Sequence, residues 1–125
     1  MRLLLDTNAL LWTLGGAARI AAVSEMILSP QTDVFVSTAS FWEIAIKSSI
    51  GKLAVNVAEI RAATFDSGFS ELPVLGAHCE QLALLPLLHR DPFDRMIVAQ
   101  AIAEPMRLLT GDSQLRAYTE LVQLI

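Results

Sequence analysis

The feature that most constrains the fold is a run of three leucines, Leu3 to Leu5, which ends abruptly at the carboxylate of Asp6. A short apolar run without a polar break is typical of a strand buried on both faces, as in a parallel sheet covered by helices. A helical pattern begins almost directly afterwards, at Ala9. We therefore expect Asp6 to lie at the carboxyl edge of a parallel sheet, where open α/β folds bind their ligands.

Helical and extended patterns alternate along the rest of the chain. Further strands are predicted at 33–37, 71–75, 107–110 and 121–125, and Pro73 favours an edge position for the third strand. Helices are predicted at 9–14, 17–28, 40–50, 57–67, 78–85 and 92–104. With 125 residues, the chain predicts a single domain over residues 1–125: a three-layer α/β/α sandwich with a mostly parallel five-stranded sheet.

Composition limits the class of protein. The chain is 54% hydrophobic and 18% charged, which is an apolar excess for a small domain, and a partner chain could cover part of it. A net charge of −4 gives no support to nucleic-acid binding, although bound cations would reverse the sign locally in an acidic pocket. Cys79 is the only cysteine, so no intrachain disulfide is possible. No apolar stretch is long enough to span a membrane, and we expect a soluble cytoplasmic protein.

Four acids stand where predicted strands end or helices begin: Asp6, Glu43, Asp94 and Asp112. Each also has a structural explanation. Glu43 could complete a capping box with Ser40 or pair with Lys47 one helical turn later. Asp94 would lie in the favourable first turn of a helix capped by Asp91. Asp6 and Asp112 could cap the helices that follow them.

The joint placement of the four acids favours a site. In a parallel sheet the carboxyl ends of all strands, and the amino ends of the helices that follow, face the same side. Four carboxylates converging there would raise each other's pKa. Such a cluster is best explained by Mg²⁺ or Mn²⁺, which prefer carboxylate oxygens and water. A metal held in this way suits hydrolysis of phosphoesters.

The motifs that carry these acids resemble those of PIN-domain ribonucleases. The resemblance rests on residues 3–12, 34–47, 91–101 and 109–112, and it covers essentially the whole chain. The closest match is the VapC-like toxin branch of bacterial type II toxin–antitoxin systems. Either short motif alone, Asp-Thr-Asn at 6–8 or Thr-Gly-Asp at 110–112, would be weak, but their combination is specific.

The resemblance implies a Mg²⁺- or Mn²⁺-dependent endoribonuclease, in which a metal-activated water cleaves an RNA phosphodiester and leaves a 5′-phosphate and a 3′-hydroxyl. It implies that Asp6 and Asp94 are the principal metal ligands. Glu43 would help to hold the metal and its water, and Asp112 would support a second metal or an outer shell. It also implies a homodimer and a small antitoxin partner that covers the site.

Two further residues, Asn8 and Arg95, are candidates for contact with substrate. Asn8 stands where this branch often has histidine, and it is a candidate substrate-binding residue that would help to shape the metal pocket. Arg95 could bind an RNA phosphate or pair with a site carboxylate, although a solvated surface position is an equally open alternative. His89 is interpreted as a solvated loop histidine rather than a general base, since a metal-activated water needs no histidine base.

Two other functions are alternatives. One is a phosphoacceptor receiver-like signalling module, which has a similar length and also gathers acids at the carboxyl edge of its sheet. Such a module needs a lysine after a late strand, and the last lysine here is Lys52. The other is an inactive PIN-like interaction domain, which the presence of all four acids argues against.

Overall fold

A five-stranded, all-parallel sheet forms the centre of the computed structural model, which describes residues 1–125. The strands are β1 (Arg2–Leu5), β2 (Asp33–Ser37), β3 (Ser70–Leu72), β4 (Arg107–Thr110) and β5 (Val122–Leu124). Their order is β3-β2-β1-β4-β5, so the leucine strand is central. The edge position expected for the strand beside Pro73 is also confirmed. That strand is short because proline lacks an N–H to continue the ladder.

Six α-helices connect the strands: α1 (Thr7–Gly15), α2 (Ser24–Leu28), α3 (Thr38–Ser49), α4 (Val57–Asp66), α5 (Gly76–Ala83) and α6 (Pro92–Ala103). The single helix predicted at 17–28 is instead a 3₁₀ helix, Ala18–Val23, followed directly by α2. A second 3₁₀ helix covers Ser113–Ala117. Helix α1 ends at Gly16, whose φ of 66° is the left-handed conformation that glycine adopts readily.

The sheet is covered on both faces. Leu3 and Leu5 belong to one hydrophobic cluster together with Leu10 of α1. Leu4, which points the other way, belongs to a second cluster with Ile97 of α6. All five side chains are fully buried. Burial of successive residues on opposite faces confirms the three-layer α/β/α sandwich.

Helix α3 begins two residues earlier than predicted. Its N-cap is Ser37, whose side chain accepts a hydrogen bond from the backbone N–H of Ala39. Ser40 is buried inside the helix and accepts a hydrogen bond of 3.0 Å from the Thr7 hydroxyl. The capping box of Ser40 with Glu43 is therefore wrong, and Glu43 lies in the second turn rather than the first.

The strand order places a switch point between β1 and β4. The chain winds outward from β1 to β2 and β3 in one direction, and β4 and β5 lie on the other side. The backbone N–H of Asp6 donates to the carbonyl of Leu109 across this boundary, at 3.1 Å. Ligands of open α/β sheets bind in the crevice at such a point. The order also differs from the 2-1-3-4-5 order of receiver modules.

No single helix is long and apolar enough to cross a membrane. Residues Thr7–Gly15 and Ala18–Leu28 satisfy the length and composition only when taken together, and a bend of 98° separates them.

Candidate metal centre

Asp6 lies at the end of β1, where it is 5% exposed. Its Oδ1 accepts a 2.8 Å hydrogen bond from the backbone N–H of Ala9, so the capping role considered from the sequence is present. Burial raises the pKa of Asp6, although hydrogen bonds from Thr110 and Ala9 oppose the rise. The charges of Glu43 and Asp112 raise the pKa of Asp6 further, which shows that the three carboxylates interact.

Asp94 lies in the first turn of α6, as predicted. The side chain of Asp91 caps this helix by accepting hydrogen bonds from the backbone N–H groups of Phe93 and Asp94, at 2.9 and 3.1 Å. Burial raises the pKa of Asp94 to about 7, and the charges of three other acids contribute to the rise: Asp91, Asp6 and Glu43. The carboxylate form of Asp94 is therefore unfavourable in the protein without a bound cation.

Glu43 is buried in α3, and only one of its two carboxylate oxygens has a hydrogen-bond partner. Its Oε2 pairs with Nζ of Lys47 at 2.6 Å, which is the alternative that the sequence offered. This hydrogen bond raises the pKa of Lys47. The other oxygen, Oε1, is buried and has no hydrogen-bond partner. An unsatisfied buried carboxylate oxygen is costly in isolation, and it is a suitable ligand for a cation.

Asp112 follows β4 and meets a histidine that the sequence did not place in the site. Its Oδ1 caps the second 3₁₀ helix, and its Oδ2 lies 2.9 Å from Nε2 of His89. The same Nε2 lies 3.2 Å from Oδ2 of Asp94. Nδ1 of His89 accepts a hydrogen bond from the backbone N–H of Asp91, so Nε2 carries the proton in the neutral ring. The interpretation of His89 as a solvated loop residue is wrong.

These acids border a cavity of about 350 Å³ at the switch point. It is lined by Asp6, Asn8, Trp12, Arg19, Asp94, Gly111, Asp112 and Ser113. Three of the four predicted acids and Asn8 are thus brought together, while Glu43 interacts electrostatically with two of these acids without lining the cavity. Arg95 does not line it, and its guanidinium instead donates to the carbonyl of Leu85.

Arg19 is a cation in this cavity that the sequence did not indicate. Its guanidinium carbon lies 4.0 Å from the centroid of the Trp12 ring, and Nη2 donates to the carbonyl of Ile125 at 3.0 Å. Stacking on an indole and a hydrogen bond fix its position. Gly111 lies against this pair, because a Cβ there would come within 2.6 Å of the Trp12 ring and 2.8 Å of Arg19 Nη2.

Gly111→Ala is therefore expected to displace Trp12 and Arg19 and to destabilise the protein by about 1–3 kcal/mol, the usual cost of overpacking. Urea denaturation measures this loss. Gly76→Ala is the matched control, because a Cβ at Gly76 meets nothing within 4 Å. Equal stability of the two variants would mean that Trp12 and Arg19 move away without cost.

The residues present fit a hard divalent cation. The ligand atoms of His89, Asp94 and Asp112 lie within 4.8 Å of one another. The buried Oε1 of Glu43 has no partner, and burial, together with the charges of neighbouring acids, raises the pKa values of Asp6 and Asp94. Carboxylate oxygens are the ligands that Mg²⁺ and Mn²⁺ prefer.

The fold and the site define an open α/β domain with clustered carboxylates at its switch point. The chain belongs to the PIN-domain family, since that family's model, described as PIN domain, matches residues 3–121. PIN domains are generally nucleases. Membership of this family, together with the strand order, argues against a receiver-like module.

Solved structures show the same fold at low sequence identity. VapBC2 from Rickettsia felis, bound to a DNA fragment from its promoter, matches with a TM-score of 0.73 and 16% identity over 100% of this chain and 98% of that chain. VapBC-1 from nontypeable Haemophilus influenzae matches with a TM-score of 0.66 and 19% identity over 99% and 98%. A toxin–antitoxin complex from Klebsiella pneumoniae matches with a TM-score of 0.63 and 21% identity over 96% and 94%. Among curated protein sequences, none matches this chain.

These comparisons confirm the resemblance to VapC-like PIN domains at the level of family and fold. The roles of Asp6, Glu43, Asp94 and Asp112 as metal ligands stay a prediction, as do the roles of Asn8 and Arg95 in substrate binding.

Proposed function

We propose that this protein, as a single PIN-like nuclease domain over residues 1–125, is a Mg²⁺- or Mn²⁺-dependent endoribonuclease. The observation that carries the proposal is the cluster of Asp6, Asp94 and Asp112 around one cavity at the switch point, with the free oxygen of Glu43 beside it. Family membership supports a nuclease, and the structural neighbours support a toxin of a type II toxin–antitoxin system.

In this proposal Asp6 and Asp94 are the principal ligands of the cation, Glu43 helps to hold it, and Asp112 supports a second cation or an outer shell. When bound, the cation supplies a water of lowered pKa and neutralises negative charge on the phosphodiester. Lys47 holds one oxygen of Glu43 so that the other stays available.

Other residues of the cavity would orient the substrate. Arg19 supplies a fixed positive charge beside the acids, suited to a phosphate oxygen. The amide of Asn8, an exposed residue that lines the cavity, can donate to a phosphate or accept from a ribose hydroxyl. Nε2 of His89 donates to Asp112 and lies 3.2 Å from Oδ2 of Asp94, so that it restricts the rotation of both carboxylates.

A protein partner is supported by an apolar cavity of about 470 Å³ whose lining includes none of the four acids. Trp42, which lines it, is 63% exposed and packs edge-to-face on Phe93 with 5.1 Å between ring centroids. Exposed aromatic surface of this kind is typical of an interaction site. We propose a small antitoxin partner, which the toxin–antitoxin complex among the structural neighbours supports. A homodimeric and cytoplasmic state is part of the same proposal.

The proposal is tested with purified protein and an end-labelled single-stranded RNA. Cleavage is expected with Mg²⁺ or Mn²⁺, is expected to stop in EDTA, and is expected to leave 5′-phosphate ends, read by ligation to an adaptor that requires them. A mock purification from cells that lack the gene controls for contaminating nucleases.

Absence of metal-dependent cleavage on every RNA tested, with the antitoxin removed, would favour the inactive interaction domain. Cleavage that continues in EDTA would argue against the acidic cluster as its source.

A further inference from the structure

A third cavity, of about 690 Å³, adjoins the acidic site. It is lined by Leu87, Leu88, His89, Arg90, Arg95 and Gln114. This cavity and the acidic cavity share a wall. The imidazole of His89 lines the former and contacts Asp94 and Asp112, which line the latter. The lining includes two arginines and no carboxylate, so it has the opposite electrostatic character to the acidic site.

The positive charge in this cavity is not neutralised within the chain. Lys47 and Arg61 form ion pairs with Glu43 and Glu71, whereas Arg90 is exposed and forms neither an ion pair nor a side-chain hydrogen bond. Arg95 donates from Nη2 to the carbonyl of Leu85, and its buried Nε has no partner. Guanidinium groups whose N–H donors lack a carboxylate partner are suited to binding a phosphate.

The same cavity has an apolar side. Leu87 and Leu88 are 86% and 51% exposed, although leucine is normally buried. The loop that carries them is held in place, because the Tyr118 hydroxyl accepts hydrogen bonds from the backbone N–H groups of Leu88 and His89, at 3.2 and 2.8 Å. The cavity is therefore preformed, with charge for an anion and apolar surface for a flat organic group.

We propose that this cavity binds the nucleotide adjacent to the scissile phosphate of a single-stranded RNA. Arg90 and Arg95 contact its phosphate, and Leu87 and Leu88 contact its base or ribose. The inference rests on the proposed endoribonuclease function, in which the scissile phosphate lies at the acids on the other side of His89. Two neighbouring phosphates of one strand would then bind at different places: the scissile phosphate at the cation held by the acids, and the next phosphate at the arginines. Grooves that follow a single-stranded backbone bind successive phosphates in this way.

Binding is tested separately from cleavage, in an Asp94→Asn background that is expected not to cleave. Fluorescence anisotropy of a labelled single-stranded RNA gives the affinity at several salt concentrations. Arg90→Gln is expected to weaken binding and to lower the slope of log affinity against log salt by about 0.7, the value for one phosphate contact with a single strand. Leu87→Ser is expected to weaken binding at every salt concentration without changing the slope.

Arg107→Gln is the matched control. Arg107 is also exposed, but it is the first residue of β4 and lies at the amino edge of the sheet, opposite the acids. Its removal is expected to leave the affinity and the slope unchanged. Thermal melts of all three variants check that the fold is intact.

An unchanged slope for Arg90→Gln would overturn the inference, whatever the protein cleaves. A lower slope in a protein that cleaves no RNA would support nucleotide binding in this cavity and reject the nuclease instead. The inference would also be overturned if Arg90→Gln and Leu87→Ser weakened binding of the antitoxin and left the affinity for RNA unchanged. That result would assign the cavity to a protein partner.

Discussion

Asp94→Asn is expected to abolish RNA cleavage and, without metal, to make the protein more stable. If Asp94 is a metal ligand as proposed, its loss removes charge stabilisation worth several kcal/mol in metal-assisted hydrolysis, so the rate should fall by about 10²-fold or more. The gain in stability arises because burial and the neighbouring acids raise the pKa of Asp94 from 3.8 to about 7. Without solvent screening that rise would correspond to about 4 kcal/mol of unfavourable free energy for the carboxylate form; Asp94 is partly exposed, so screening makes the cost smaller, and the neutral amide does not incur it.

Two measurements on the same variant check this result: cleavage of labelled RNA in Mg²⁺, and urea denaturation in EDTA at pH 8. Asp33→Asn is the control, because Asp33 is an exposed acid at the amino end of β2, away from the site. It should change neither quantity. Retained cleavage in Asp94→Asn would place the chemistry elsewhere. A less stable variant would mean that the contact of Asp94 with His89 outweighs the repulsion from the other acids.

The stability of the metal-free protein is expected to fall as the pH rises from about 4 to 7. The folded pKa of Asp94 is above its unfolded value of 3.8, and that of Asp6 is raised in the same direction. In this window the folded state therefore binds more protons than the unfolded state, and its stability is lost as the pH increases. Thermal melts in EDTA between pH 4 and pH 8 follow the effect.

Under the proposed function Mg²⁺ should reverse this loss, because it would bind the ionised carboxylates of the folded protein. At about 100 times its dissociation constant, a ligand of the folded state stabilises by about 2.7 kcal/mol. We expect a clear increase in the melting temperature with Mg²⁺ at pH 8 and a much smaller one at pH 5. NaCl at matched ionic strength controls for screening of surface charge. An equal response to Mg²⁺ at both pH values would argue against binding at these acids.

The sequence predicted the sheet well because the relevant signals are local. Leu3 to Leu5 could only be buried on both faces, and the acid that follows must then lie at the carboxyl edge of a parallel sheet. The start of α3 at residue 38 differs from the predicted start at residue 40. Ser37 and Ser40 can both serve as N-caps, and the buried hydrogen bond between Thr7 and Ser40 forms only in the folded protein.

His89 and Arg19 were not predicted as part of the site because nothing local indicates their positions. His89 reaches the acids because its loop is held by the hydroxyl of Tyr118, 29 residues further along the chain. Arg19 is held by the ring of Trp12 and the carbonyl of Ile125. These contacts join residues that are far apart in the sequence, and they depend on how the loops pack. Hydrophobic periodicity predicts helices and strands but not the packing of loops.

Asp6 and Asp112 both line the acidic cavity and cap the helices that follow them, and this has a consequence for how such a domain can diverge. Asparagine caps a helix about as well as aspartate, whereas alanine costs about 1 kcal/mol at such a position. A lineage that lost nuclease activity could thus replace both acids by asparagine and keep its helix starts. An inactive descendant of this fold should therefore carry asparagine at these two positions more often than alanine, and its sequence would reveal the change of function.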